Sequence, residues 1–174
     1  MFSDLAPNPY PPPRQSPSGA TMTREEQEKE IRKFLHEKLQ IDNPDKFQLY
    51  VEALTHSLDL PKEKDLRNNS RLAYLGDFVI NFSIGHFCFH KYYPEGDEGD
   101  MTILSNELRS NNILSQRAEP FFTGYPNLIY VADSKTERNT KFYAKALEAL
   151  FGAIYLDQGF EKARALAEKH LLQP

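Results

Sequence analysis

The stretch that most limits what this chain can fold into is Asn69-Ser70-Arg71-Leu72-Ala73-Tyr74-Leu75-Gly76-Asp77-Phe78-Val79-Ile80-Asn81-Phe82. Asn69 or Ser70 can cap its start, and no proline follows until Pro94, so it reads as a long helix. Leu72, Leu75, Phe78, Val79, Ile80, Phe82 and Ile84 point to nearly every side, which predicts a helix buried on most faces. Asp77 lies inside that apolar run. A carboxylate there must find a cation, a hydrogen-bond donor or a metal. A second helix of the same kind is predicted from Lys141 to Asp157, where Glu148 stands among small and apolar residues. Two buried helices, each with one inward acid, predict a shared polar site.

These two stretches resemble the ribonuclease III catalytic domain. The family signature, roughly Glu-Arg-Leu-Glu-Phe-Leu-Gly-Asp, stands here as Ser70-Arg71-Leu72-Ala73-Tyr74-Leu75-Gly76-Asp77. Its last motif, Asp-x-x-Glu-Ala-Leu-x-Gly-Ala-x-Tyr-Leu-Asp, stands as Lys145-Ala146-Leu147-Glu148-Ala149-Leu150-Phe151-Gly152-Ala153-Ile154-Tyr155-Leu156-Asp157. Glu52-Ala53-Leu54-Thr55-His56-Ser57 and Glu98-Gly99-Asp100-Met101-Thr102 agree with two further blocks. Four blocks in order across residues 30–172 make a specific match.

The resemblance implies an all-α, ribonuclease III-like domain. In that family duplex RNA is cut by water activated between magnesium ions, which need several hard oxygen ligands. Residue by residue, the family's acidic positions fall on Ser70, Ala73, Asp77, Lys145 and Glu148, with Glu98 as a loop acid near the metal. Asp77, Glu148 and Glu98 are therefore the implied metal ligands. Lys145, three residues before Glu148, is expected to pair with it and to take the place of a divalent cation. The resemblance also implies dimerisation through the signature helix, with Tyr74 as the contact. The partner is a second copy or another family member.

The main reading is an inactive scaffold that binds duplex or structured RNA in an RNA-processing or ribonucleoprotein assembly, of which a mitochondrial ribosome is one. A magnesium-dependent endoribonuclease using Asp77 and Glu148 is the alternative. A compact bacterial branch of the family also has Ala at the position of Ala73. A protein–protein module is the third reading.

The 174 residues suit one domain with an appendage. Six of the twelve prolines fall in residues 1–22 and predict a flexible tail there, leaving 23–174 for the domain. No segment beyond residue 172 leaves room for the double-stranded-RNA-binding domain that often follows this catalytic domain. A net charge of −4 gives no global basic field, so phosphate binding must come from a local face. Lys135, Arg138 and Lys141 in the polar segment 133–141 are the candidates. Cys88, the single cysteine, excludes an internal disulfide and reads as an inert core thiol. No apolar run is expected to span a membrane, and the start resembles neither a secretory signal nor a transit peptide, which points to an intracellular protein.

Thr23 and Glu26 predict a capping box, followed by an apolar stripe of Ile31, Phe34, Leu35 and Leu39. A second helix is expected to carry Phe47, Tyr50, Val51 and Leu54, with His56 near its end as a structural histidine. Further helices are expected over 100–112 and 113–122, and a last one from Phe160.

Overall fold

The computed structural model describes residues 23–56, 68–109, 111–131 and 136–173, the side chains of 111–113 excepted. The Pro-rich tail, the charged connection over 57–67 and Lys135 lie outside the described residues. Among the described residues the architecture is all-α. The helices are α1 (Arg24–Leu39), α2 (Phe47–Ala53), α3 (Ser70–Tyr92), α4 (Glu98–Arg109), α5 (Asn111–Phe122), α6 (Thr140–Gln158) and α7 (Phe160–Ala167), closed by a π-helical turn, Glu168–Leu172.

α1 starts at the expected capping box, with Thr23 and Glu26 satisfying each other's backbone amides. Its buried stripe of Ile31, Phe34, Leu35 and Leu39 meets the aromatic end of α5. The Phe34 ring lies 5.7 Å from that of Phe121 and 5.0 Å from that of Tyr125, both edge-on. α2 ends earlier than expected, at Ala53. Thr55 instead forms an isolated parallel bridge with Tyr130. Gln27, fully buried on α1, spans this junction by donating to the carbonyls of Leu54 (2.8 Å) and Leu128 (3.3 Å). His56 is buried with its ring 4.7 Å from Phe142, so it serves packing, as expected.

α3 and α6 form the centre. Their crossing is set by glycine: a Cβ on Gly76 would overlap the carbonyl of Glu148, and a Cβ on Gly152 would overlap that of Leu72. Only hydrogen at both positions lets the two backbones touch. α3 buries Leu72, Ala73, Gly76, Val79, Ile80, Ser83, Ile84 and Cys88 on this side. The expectation of burial on most faces is corrected on the other: Tyr74, Phe78 and Phe82 are 71%, 57% and 65% exposed. A second correction concerns membranes. By length and composition alone, α3 is apolar enough to cross one, because Tyr74, Phe78 and Phe82 add apolar residues outside its buried face. α4 begins at Glu98 rather than near residue 100, and α6 runs one residue beyond the expected Lys141 and Asp157 at each end.

Candidate active site

The glycine crossing positions the acids. Asp77 follows Gly76 directly, and Glu148 precedes Gly152 by one turn, so the contact that fixes the helices also brings the two carboxylates into each other's field. Asp77 is half-buried and accepts from the Asn81 side-chain amide, one turn on, at 2.9 Å. The donor it requires is thus neutral and comes from its own helix. Glu148 is half-buried, and no such donor to it is seen among the described residues. Burial, reinforced by the Asp77 charge, pushes its pKa up to about 7, and the Lys145 charge opposes the rise.

Lys145 reaches beyond its own helix. Its ammonium donates to the Ser70 hydroxyl at 3.0 Å, across from α6 to the first turn of α3. Its charge also acts on Glu148, one turn on. Ala73 is buried and adds a methyl group where the family has an acid. Glu98 is exposed at the start of α4, and no three His, Cys, Asp or Glu among the described residues gather into a metal cluster.

The other expected residues are spread over the surface. Tyr74 stands on the exposed side of α3, its ring 5.2 Å from that of Phe78. Phe82 continues the row and meets Phe160 of α7 at 5.1 Å. Sequence periodicity did not separate this row from the core, because both are apolar at helical spacing. Arg138 reaches the Pro126 carbonyl at 3.4 Å beside the start of α6, and Lys141 is exposed. Arg71 lies 3.6 Å from the largely buried Glu52, a contact that sequence did not suggest. Asn69 stands at the expected cap position of α3 but makes no side-chain cap hydrogen bond; it is wholly buried, and among the described residues its side-chain polar atoms have no partner.

The donor chemistry fits one magnesium ion. The carboxylates of Asp77 and Glu148, from neighbouring helices, are hard oxygen donors that could hold it. Magnesium can be held by one or two carboxylates, with water and phosphate oxygens completing its shell. The Lys145 charge reduces the demand for a second ion.

A family profile described as Ribonuclease-III-like matches residues 46–174. The chain is 36% identical over 129 residues to ribonuclease 3 of Pelotomaculum thermopropionicum, covering 71% of this chain and 52% of the relative. Ribonuclease 3 of Azobacteroides pseudotrichonymphae is 31% identical over 133 residues, 75% of this chain and 49% of the relative. The chain thus spans about half the length of the curated relatives it matches. Two solved structures of the nuclease domain of ribonuclease III from Campylobacter jejuni share the fold, with TM-scores of 0.64 and 0.65 at 29% identity. They cover 80% and 82% of this chain and 97% of theirs. One of them concerns flexibility in the region involved in dimer formation of that protein. With the profile match over most of its length and the helical fold in common, the chain belongs to the ribonuclease III-like family.

Proposed function

We propose that this protein is a dimeric endoribonuclease of the ribonuclease III type, hydrolysing duplex RNA with magnesium at a reduced acidic site. The observation that carries the reading is the pairing of Asp77 with Glu148 at the Gly76–Gly152 crossing. Asp77 stays oriented by Asn81, and Glu148 must give up its proton for both carboxylates to serve as ligands. Asp77 and Glu148 would hold the magnesium, which when bound would supply Lewis-acid polarisation of a phosphoryl oxygen and of the attacking water. Lys145, on the same helix as Glu148, adds a fixed positive charge where phosphate charge builds up.

The exposed row of Tyr74, Phe78 and Phe82 supports a dimer formed through α3, with a second copy or a family relative. An exposed aromatic row of this kind on a soluble-domain fold marks an interaction surface. Two such subunits present two sites to one duplex.

A second reading, binding without cleavage, draws on the ammonium at an acidic position and the lack of a third clustered carboxylate among the described residues. Purified protein incubated with a long RNA duplex and magnesium decides between them, beside Asp77→Ala and Glu148→Ala. Cutting that both substitutions abolish supports the enzyme. Intact duplex that remains bound supports the scaffold. Loss of both cutting and binding leaves a protein–protein module.

A further inference from the structure

We propose that Lys38, Arg117 and Lys169, gathered around the rings of Phe121 and His170, form a contact surface for the phosphates of an RNA backbone; this rests on the duplex-RNA reading above. None of these residues belongs to α3 or α6, the helices that carry Asp77 and Glu148. They come from α1, α5 and the closing π-helical turn. The buried Phe121 ring is the floor. The Lys38 ammonium lies over it, 5.5 Å from the ring centre, and the His170 ring meets it edge-on at 5.5 Å. Arg117 stands one turn before Phe121 on α5, hence on the same side of that helix. Lys169 is the exposed neighbour of His170.

Like charges gathered in this way repel, and among the described residues no carboxylate forms an ion pair with any of the three. The acids next to them in sequence are engaged elsewhere. Glu37 accepts from the Tyr125 hydroxyl at 3.1 Å, and Glu168 accepts from Arg164 at 2.7 Å and faces His86. His170 registers the imbalance: burial, then the charges of Lys169 and Lys38, hold its pKa below the ordinary 6.5, and no carboxylate offsets them. Arg117 Nη1 and His170 Nε2 are both buried without a hydrogen-bond partner among the described residues. Lys38 does favour the last turn of α1, where a cation suits the helix dipole, but that accounts for one lysine and not for its company. In a chain of net charge −4, cations kept together without acids, beside unsatisfied nitrogens, carry a cost that folding does not explain. Phosphate oxygens supply both the missing negative charge and the missing acceptors.

The test is binding of a fluorescently labelled RNA duplex in EDTA, where no magnesium supports cleavage, read by anisotropy over a range of salt concentrations. The double variant Lys38→Met, Lys169→Met is expected to bind more weakly, with the slope of log affinity against log salt shallower by about two, roughly one for each lysine lost. Lys38→Arg with Lys169→Arg is expected to keep the slope. Arg117→Met is expected to make it shallower by about one without lowering the melting temperature, because it removes an unpaired buried donor. Lys29→Met is the control. Lys29 is exposed on α1, nine residues before Lys38 and so on the opposite side of the helix, and its loss is expected to leave the slope unchanged. Lysines that served only folding would move the melting temperature and not the slope. Wild-type affinity and slope in both the double lysine variant and Arg117→Met would overturn the patch and leave the RNA reading intact. An equal loss of slope in Lys29→Met would overturn it as well, since any surface charge would then serve. A wild-type protein that binds no duplex in EDTA and cuts none in magnesium would overturn both.

Discussion

Gly76 of α3 and Gly152 of α6 face each other where the helices cross. A Cβ on Gly76 would lie 2.8 Å from the Gly152 amide nitrogen, and one on Gly152 would lie 3.2 Å from the Gly76 nitrogen. Backbone meets backbone here, with no flexible side chain to give way. Gly76→Ala or Gly152→Ala is therefore expected to cost at least about 3 kcal/mol or to prevent folding. Gly85, also on α3, is the control. A Cβ there meets nothing closer than Arg109 Nη2 at 3.9 Å, so Gly85→Ala is expected to stabilise by up to about 1 kcal/mol. Urea unfolding of the three variants reads the difference.

The raised pKa of Glu148 has a defined sign in stability. Its folded value of about 7 lies above the ordinary 4.5, so the fold favours the protonated acid. The contribution is complete below pH 4.5 and is lost as pH rises through about 7. Glu148→Gln is expected to remove that fall and to be more stable than wild type at pH 8. The gain should be about 1–2 kcal/mol after discounting for solvent screening of a half-buried group. Melting temperatures at pH 5 and pH 8 measure it, and a wild-type/variant difference that does not change with pH would contradict it.

Gln27 ties α1 to two loop carbonyls that have no access to water. Gln27→Leu keeps the volume but leaves the Leu54 and Leu128 carbonyls without this donor. A loss of about 2–3 kcal/mol is expected in chemical denaturation. Hydrogen exchange should quicken at the amides of Tyr130 and His56, which close the same junction.

The aromatic row on α3 predicts the state of assembly. Phe78→Ser and Phe82→Asp change exposed positions, so helicity by circular dichroism should stay as in wild type. Sedimentation equilibrium should show a dimer for wild type and a monomer for the double variant. An unaltered dimer would place the interface elsewhere.

Much of this molecule could be read from its letters. The capping box at Thr23 and Glu26, the two central helices and the isolated acids follow from patterns that depend on local chemistry. The failures share a different cause. Phe78 and Phe82 were expected in the core, because helical periodicity marks apolar positions without saying whether protein or partner covers them. The contact of Lys145 with Ser70 was not foreseen, because spacing along one helix is visible in sequence, whereas the hydroxyl that α3 brings to it across the crossing is not. Gly76 and Gly152 stood in plain view inside their motifs, yet nothing in a single sequence couples two glycines 76 residues apart. The crossing that locates the site is a tertiary fact.

The junction at Thr55 has a consequence for the carboxylates. The Asn69 amide donates to the Thr55 carbonyl at 3.1 Å, and α3 starts immediately afterwards. That tether runs from main chain to main chain, so the anchorage of α3, and with it the place of Asp77 two turns on, rests on atoms that no side-chain substitution at Thr55 or Asn69 short of proline removes.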